Sequence, residues 1–262
     1  MSTNVQNSFM LFGDSITQGG WETEMNGFGA KLAHVYARKL DVINRGLSGY
    51  NTEWGIPVFE QCFATQEQQK HLPTVRLLLI WFGANDSCIA PSPQYVPLVK
   101  FASNLKHLIS LVQSPRSFYY SPKTRIILAT PPPVNTYQRG ADLAGRNPPI
   151  QLDREFENTK MYADTVKDIA HEEEVAVVDI WTKLYEAAGR EERSLSAFLT
   201  DGLHLNGAGY KLMYEAVLET IGTAYPELHP DRLEMVFPPW GLVDRNNVVA
   251  SVQARDAEVV SV

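Results

Sequence analysis

The sequence predicts an α/β fold, a parallel sheet of five strands with helices on both faces. Two observations carry that expectation. Five short, partly β-branched apolar runs recur along the 262 residues, and amphipathic helical patterns fall between them. Short apolar runs read as buried strands, and strands that alternate with helices need crossover connections, which make a sheet parallel.

The first run is SFMLFG at 8–13, the second DVINRG at 41–46, and the third VRLLLIWFG at 75–83; RIILATP at 125–131 and VAVVDIW at 175–181 complete the set. Helical patterns precede the second run (27–40), the fourth (95–113) and the fifth (154–174). A closing helix follows Asn206, a good N-cap residue, with its apolar spacing at Leu212, Met213, Ala216, Val217 and Leu218. The proline-rich stretch 130–151 is too long for a routine turn and reads as an irregular loop over one sheet edge, of the kind that shapes binding sites. From Ala224 the pattern changes. Residues 1–223 therefore read as the main domain, and 224–262 as an extension packed on that domain or on a partner subunit.

At 44% hydrophobic and 20% charged the chain is an ordinary globular protein, large enough to bury a core. Its net charge of -7 repels phosphate backbones and anionic bilayers, and no basic patch offsets it, so nucleic acid is not an expected partner. The longest apolar run, near 75–82, is far shorter than the roughly 20 residues of a membrane span. The N-terminal MSTNVQNS carries no signal-peptide pattern, so a cytoplasmic protein is expected. Cys62 and Cys88 make neither a disulfide framework nor a metal motif; both read as free thiols, with no cofactor or metal implied.

Ligands of parallel α/β sheets bind beyond the carboxyl ends of the strands, where loops and helix N-termini converge. The polar residues fall there. Strand one is followed by Gly13-Asp14-Ser15, strand two by Gly46-Leu47-Ser48-Gly49-Tyr50-Asn51, and strand three by Gly83-Ala84-Asn85-Asp86. Strand five, after a short helical stretch, leads to Asp201-Gly202-Leu203-His204. Acyl transfer needs these groups: a hydroxyl nucleophile (Ser15), a base (His204), and a carboxylate to orient the base (Asp201). It also needs preorganised donors for a developing oxyanion, here the backbone N–H of Ser15 and Gly49 and the Asn85 amide. Asp14 reads as an N-cap or Asx-turn residue. Trp21, Tyr50, Trp54 and Tyr137 are candidates for lining the substrate pocket.

Spacing alone does not identify the pair, because Asp168 and His171 repeat it. That copy lies at the polar end of a helix feeding strand five, which puts it at the amino edge, whereas His204 lies in a glycine-flanked turn beyond the strand. Position separates the two.

FGDSIT at 12–17, the glycine of NRGLSGYNT, the asparagine of GAND and DGLHLN at 201–206 resemble the four blocks of the SGNH, or GDSL, hydrolases, in order. NRGLSGYNTEWG and FPPW resemble the isoamyl acetate-hydrolysing esterase branch in particular. The resemblance implies a flavodoxin-like three-layer α/β/α sandwich with strand order 2-1-3-4-5. It implies the same residue roles: Ser15, Asp201 and His204 as triad, and Ser15, Gly49 and Asn85 as oxyanion donors. A branch member would hydrolyse short acyl esters of small alcohols and form a homodimer. Tyr50 departs from the acidic residue that often follows the glycine, and no G-x-S-x-G elbow is present. Three alternatives stand beside this expectation: a longer-chain lipase or thioesterase, a two-metal phosphoesterase, and a binding module without catalysis.

Overall fold

The computed structural model describes residues 6–255, so residues 1–5 of the N-terminal stretch and 256–262 of the tail lie outside the described residues. Five strands, β1 (Ser8–Gly13), β2 (Asp41–Gly46), β3 (Val75–Trp81), β4 (Arg125–Ala129) and β5 (Ala176–Val178), form one sheet in the order β2-β1-β3-β4-β5. All four pairings are parallel. The fold is the expected one, order included. The helices are α1 (Ser15–Gln18), α2 (Phe28–Val35), α3 (Thr52–Cys62), α4 (Leu98–Gln113), α5 (Thr136–Ala144), α6 (Phe156–Glu172), α7 (Ile180–Ala187), α8 (Gly207–Ala224) and α9 (Val248–Ser251).

Side chains of a strand point to alternate faces, and here the alternation divides the core in two. Phe9 and Leu11 of β1, Leu77, Leu79 and Trp81 of β3, and Ile127 of β4 pack with Phe28 and Leu32 of α2, Leu184 of α7 and Met213 and Val217 of α8. Met10 and Phe12, Leu78 and Ile80, and Ile126 and Leu128 face the other way, against Phe59 of α3, Phe101 and Leu108 of α4 and Val166 of α6. Buried on both faces, the central strands read as continuous apolar runs rather than alternating ones.

Several elements differ from the sequence reading. The fifth run is strand only over Ala176–Val178, because Asp179 caps α7 by accepting from the Thr182 N–H and Ile180 and Trp181 already belong to that helix. The stretch 130–151 is not irregular throughout, because α5 forms inside it, capped by Asn135, whose side-chain oxygen accepts from the backbone N–H of Gln138. Helix α3 was not expected, since Gly55 and Pro57 both lie in it. Asn51 caps its start by accepting from the Trp54 N–H, and Phe59 anchors it in the core.

The chain after α8 is tied to the end of α2. Leu228, Leu233 and Val236 are buried, the Tyr36 hydroxyl donates to the Leu228 carbonyl at 2.9 Å, and Arg38 Nη2 donates to the carbonyls of Phe237 and Pro238. Among the described residues no helix is long and apolar enough to cross a membrane.

The register places Gly13 beside both Gly46 and Trp81, and Ala129 beside Val178. The carboxyl ends thus form one edge, and the chain must turn out of every strand at nearly the same level.

Candidate active site

Ser15 opens α1 directly after β1. Asp14 caps that helix, its Oδ1 accepting from the Ile16 N–H at 2.9 Å. This agrees with the turn role read from the sequence. The Ser15 N–H belongs to the first helical turn, which has no intrahelical acceptor. The Tyr210 hydroxyl of α8 donates to the Ile16 carbonyl at 2.8 Å, and its ring stacks on Phe28, so the turn is clamped from below.

Gly49 follows β2 with φ +81, a left-handed conformation that L side chains rarely adopt. An added Cβ would meet only Gln94 Nε2, at 3.4 Å, so backbone conformation rather than space requires the glycine. Gln94 Nε2 also donates to the Gly49 carbonyl at 2.8 Å. Asn85 follows β3 and is buried; its Nδ2 donates to the Tyr50 carbonyl at 2.8 Å, joining the second and third loops. Asp86 secures the same junction, since its Oδ1 accepts from both the backbone N–H and the hydroxyl of Thr52.

Asp201 and His204 sit in the turn before α8, where Oδ1 of Asp201 accepts from the N–H groups of Leu203 at 3.0 Å and His204 at 2.9 Å. Oδ2 lies 2.9 Å from His204 Nδ1, and His204 Nε2 lies 2.9 Å from Ser15 Oγ. Hydroxyl, imidazole and carboxylate therefore form one hydrogen-bonded line across 189 residues of sequence. Gly202, between the pair, has φ +83 and packs against the backbone of α5: a Cβ would sit 2.4 Å from Arg139 N.

Burial alone would raise the Asp201 carboxyl, but the His204 ring and the N–H groups of His204 and Leu203 outweigh it and hold the group well below the usual carboxylate range. Asp14 and Asp86 go the other way. Burial pushes Asp14 up to about 7 against the Ile16 N–H bond, and Asp86 up to about 6 against its Thr52 bonds.

A cavity of about 570 Å³ opens beside Ser15 and His204. Trp21, Met25 and Leu205 give it apolar wall, while Gln18, Glu22 and Ser48 give it polar wall. Of the four aromatic candidates, Trp21 lines this cavity. Tyr50 and Trp54 pack edge to face on each other with centroids 6.0 Å apart, and Tyr137 lies under the Arg193 guanidinium at 3.7 Å from its ring centre. Cys88 is buried, and that burial raises its thiol above the ordinary value, which disfavours the thiolate a nucleophile needs. Asp168 and His171 are exposed near the end of α6, as the positional argument required.

Three residues escaped the sequence reading. Arg139 of α5 donates from Nη1 to Asp201 Oδ2 at 2.9 Å, and Asp153 and Arg154 lie just beyond it in a chain of ion pairs. The only hint in the sequence was their position within or next to the long stretch after β4. Among the described residues no three His, Cys, Asp or Glu side chains cluster to hold a metal.

A parallel sheet whose carboxyl edge lines up a hydroxyl, an imidazole and a carboxylate is a hydrolase scaffold. The chain belongs to the GDSL-like lipase/acylhydrolase family, whose model matches residues 11–212, and it is a carboxylic ester hydrolase. Over 251 residues it is 31% identical to the isoamyl acetate-hydrolyzing esterase of Saccharomyces cerevisiae, an alignment covering 92% of this chain and 98% of that one. The human protein named isoamyl acetate-hydrolyzing esterase 1 homolog is 31% identical over 235 residues, or 88% of this chain and 86% of its own. The crystal structure of a lipase/acylhydrolase from Enterococcus faecalis matches in fold, with a TM-score of 0.56 at 24% identity over 82% of this chain and 95% of that chain.

Proposed function

We propose that the chain is a serine esterase that cleaves short-chain acyl esters of small alcohols through an acyl-enzyme intermediate. The observation that supports this most directly is the line from Ser15 Oγ through His204 to Asp201, with 2.9 Å at each joint. Ser15 Oγ attacks the ester carbonyl carbon as His204 Nε2 takes the hydroxyl proton; Asp201, ionised, steadies the imidazolium through Nδ1–H. The carbonyl oxygen becomes an oxyanion held by the N–H groups of Ser15 and Gly49 and by the Asn85 amide, which has a second N–H beyond the one given to Tyr50. Collapse of the tetrahedral intermediate breaks the acyl–oxygen bond, and His204 returns its proton to the leaving alcohol. Water, activated by the same imidazole, then releases the carboxylic acid and restores Ser15.

The mixed lining of the cavity favours a small ester over a long alkyl chain, which would need a predominantly apolar channel. The names of the yeast and human relatives point the same way. Trp21 is the aromatic residue placed to touch such a substrate. Pairing of two chains through the exposed Trp240, Leu242 and Val249 belongs to the same reading, and the mass of the full chain in solution tests it.

The deciding experiment compares p-nitrophenyl acetate hydrolysis by the wild type and Ser15→Ala. Loss of a triad member is expected to lower kcat by about 10⁴ to 10⁶, and equal rates would end the reading. A p-nitrophenyl ester series from acetyl to palmitoyl then sets chain length. A steep fall in kcat/KM beyond butyryl supports the short-ester reading, and a rise toward palmitoyl replaces it with a lipase or thioesterase.

A further inference from the structure

Two arginines are buried beside the site with almost no access to solvent: the side chains of Arg139 and Arg154 are 6% and 2% exposed. Buried guanidinium groups are costly unless every donor face meets an acceptor, and these two are paired in sequence. Arg154 Nη2 donates to Asn85 Oδ1 at 2.8 Å, Nε donates to the Ala84 carbonyl at 2.8 Å, and Nη1 pairs with Asp153 Oδ2. Asp153 also takes both arms of the other arginine, Nε at 3.1 Å and Nη2 at 2.8 Å. Arg139 Nη1 then reaches Asp201 Oδ2, the oxygen that holds His204 Nδ1. One unbroken path of charged contacts therefore joins Asn85 to the carboxylate behind the histidine.

The chemistry of each link restricts what its neighbours can do. A guanidinium only donates, so the Asn85 atom facing Arg154 must be the amide oxygen; a carbonyl only accepts, so the atom facing Tyr50 must be the nitrogen. Two independent partners thus fix the same amide orientation, the one that presents N–H rather than C=O to an oxyanion. At the other end Asp201 accepts four bonds: two backbone N–H groups on Oδ1, and Arg139 and His204 on Oδ2. Its plane cannot turn without breaking several of them. Arg139 and Arg154 offset Asp153 and Asp201, and Asp142, 3.7 Å from Arg139 Nη1, is itself paired with Arg146 at 2.7 Å, so the frame adds no net charge beside the developing oxyanion or imidazolium.

We propose that Arg154, Asp153 and Arg139 are positioning residues that set the Asn85 amide and the Asp201 carboxylate against one another, so that the oxyanion donor and the partner of the base share a single buried frame. The proposal rests on the serine-esterase reading. It assigns Arg154 an effect that passes through Asn85, whereas an ion pair that merely held the fold together would act on any background alike.

The test is a double-mutant cycle on the full chain, with kcat and KM for p-nitrophenyl acetate and the urea midpoint measured for each variant. Asn85→Ala alone is expected to cost about 10² to 10³ in kcat. Arg154→Met should lower kcat by about 10- to 100-fold with KM unchanged, because a misaligned donor fails only in the transition state. In the Asn85→Ala background Arg154→Met should then cost nothing further in kcat. Asp153→Asn, closer to the surface, gives the readout if Arg154→Met does not fold: kcat reduced, KM unchanged, and on Asn85→Ala a smaller loss than on wild type, the remainder passing through Arg139 to Asp201. Multiplicative losses in the double variants, or wild-type kcat in Asp153→Asn, would overturn the frame while leaving the esterase reading intact. Full activity of Asn85→Ala would overturn the frame together with the oxyanion assignment, and an active Ser15→Ala would remove the esterase reading beneath both.

Discussion

Asp14→Asn isolates the cost of keeping a carboxylate buried next to the Ser15 turn. Asp14 is enclosed by protein, and burial pushes its carboxyl from the ordinary 3.8 up to about 7 in spite of the bond from the Ile16 N–H. A carboxyl whose folded value is raised binds more protons in the native state than in the unfolded one between those two pH values. Unfolding free energy therefore falls as pH rises from about 4 to about 7, by about 1.4 kcal/mol per pH unit for this one group, and is flat above. Asparagine keeps an oxygen for the Ile16 N–H but does not titrate. Any constant penalty for its amide cancels when the difference between variant and wild type is compared at two pH values. From pH 5 to pH 8 the window contains about two titrating units, so the difference should move by roughly 2–3 kcal/mol in favour of Asp14→Asn. Urea unfolding of both proteins at pH 5, 6, 7 and 8 measures it, and the raised Asp86 is common to both. A difference that stays constant across that range would show that the Asp14 carboxylate is not destabilised by burial.

Two further perturbations test how the site is held. Gly202→Ala forces a Cβ to within 2.4 Å of the Arg139 backbone nitrogen at a φ of +83, so it should lower stability by at least about 1–2 kcal/mol and reduce esterase activity by displacing Asp201; an unchanged thermal midpoint with full activity would refute the packing argument. Tyr36→Phe leaves the buried Leu228 carbonyl without its 2.9 Å donor and should cost about 1–3 kcal/mol by urea unfolding with kcat unaltered, an outcome that equal midpoints would contradict.

The elements legible in the sequence are those whose signal is local. Strands β1, β3 and β4 are apolar because they are covered on both faces, and the parallel sheet follows from the helices between them. Helix α3 was hidden because Gly55 and Pro57 count against it locally. Gly55 is there for contact, since a Cβ would come within 2.9 Å of the Phe82 ring. Helix α2 stops at Val35, earlier than its pattern suggests: Arg38 takes φ +67, its Nη2 donates to Phe237 and Pro238, and its own carbonyl accepts from Val236. Both deviations come from contacts with distant chain, which no window of sequence contains. The arginines escaped for the same reason, as Arg139 meets Asp201 across 62 positions and Arg154 meets Asn85 across 69.

The Asp-x-x-His pair shows what position adds to spacing. Asp168 and His171 lie on a helix, where residues three apart are neighbours on the surface and both side chains reach solvent. Asp201 instead spends one oxygen on the backbone N–H groups of Leu203 and His204, which curls the turn and aims the other oxygen at the His204 ring. The left-handed Gly202 lets that turn close against α5, so the carboxylate is held by the same short stretch that carries His204. The spacing therefore becomes a hydrogen-bonded pair because a tight turn stands where a helix would otherwise be, and it meets a serine because His204 Nε2 comes within 2.9 Å of Ser15 Oγ, at the edge where β1 ends.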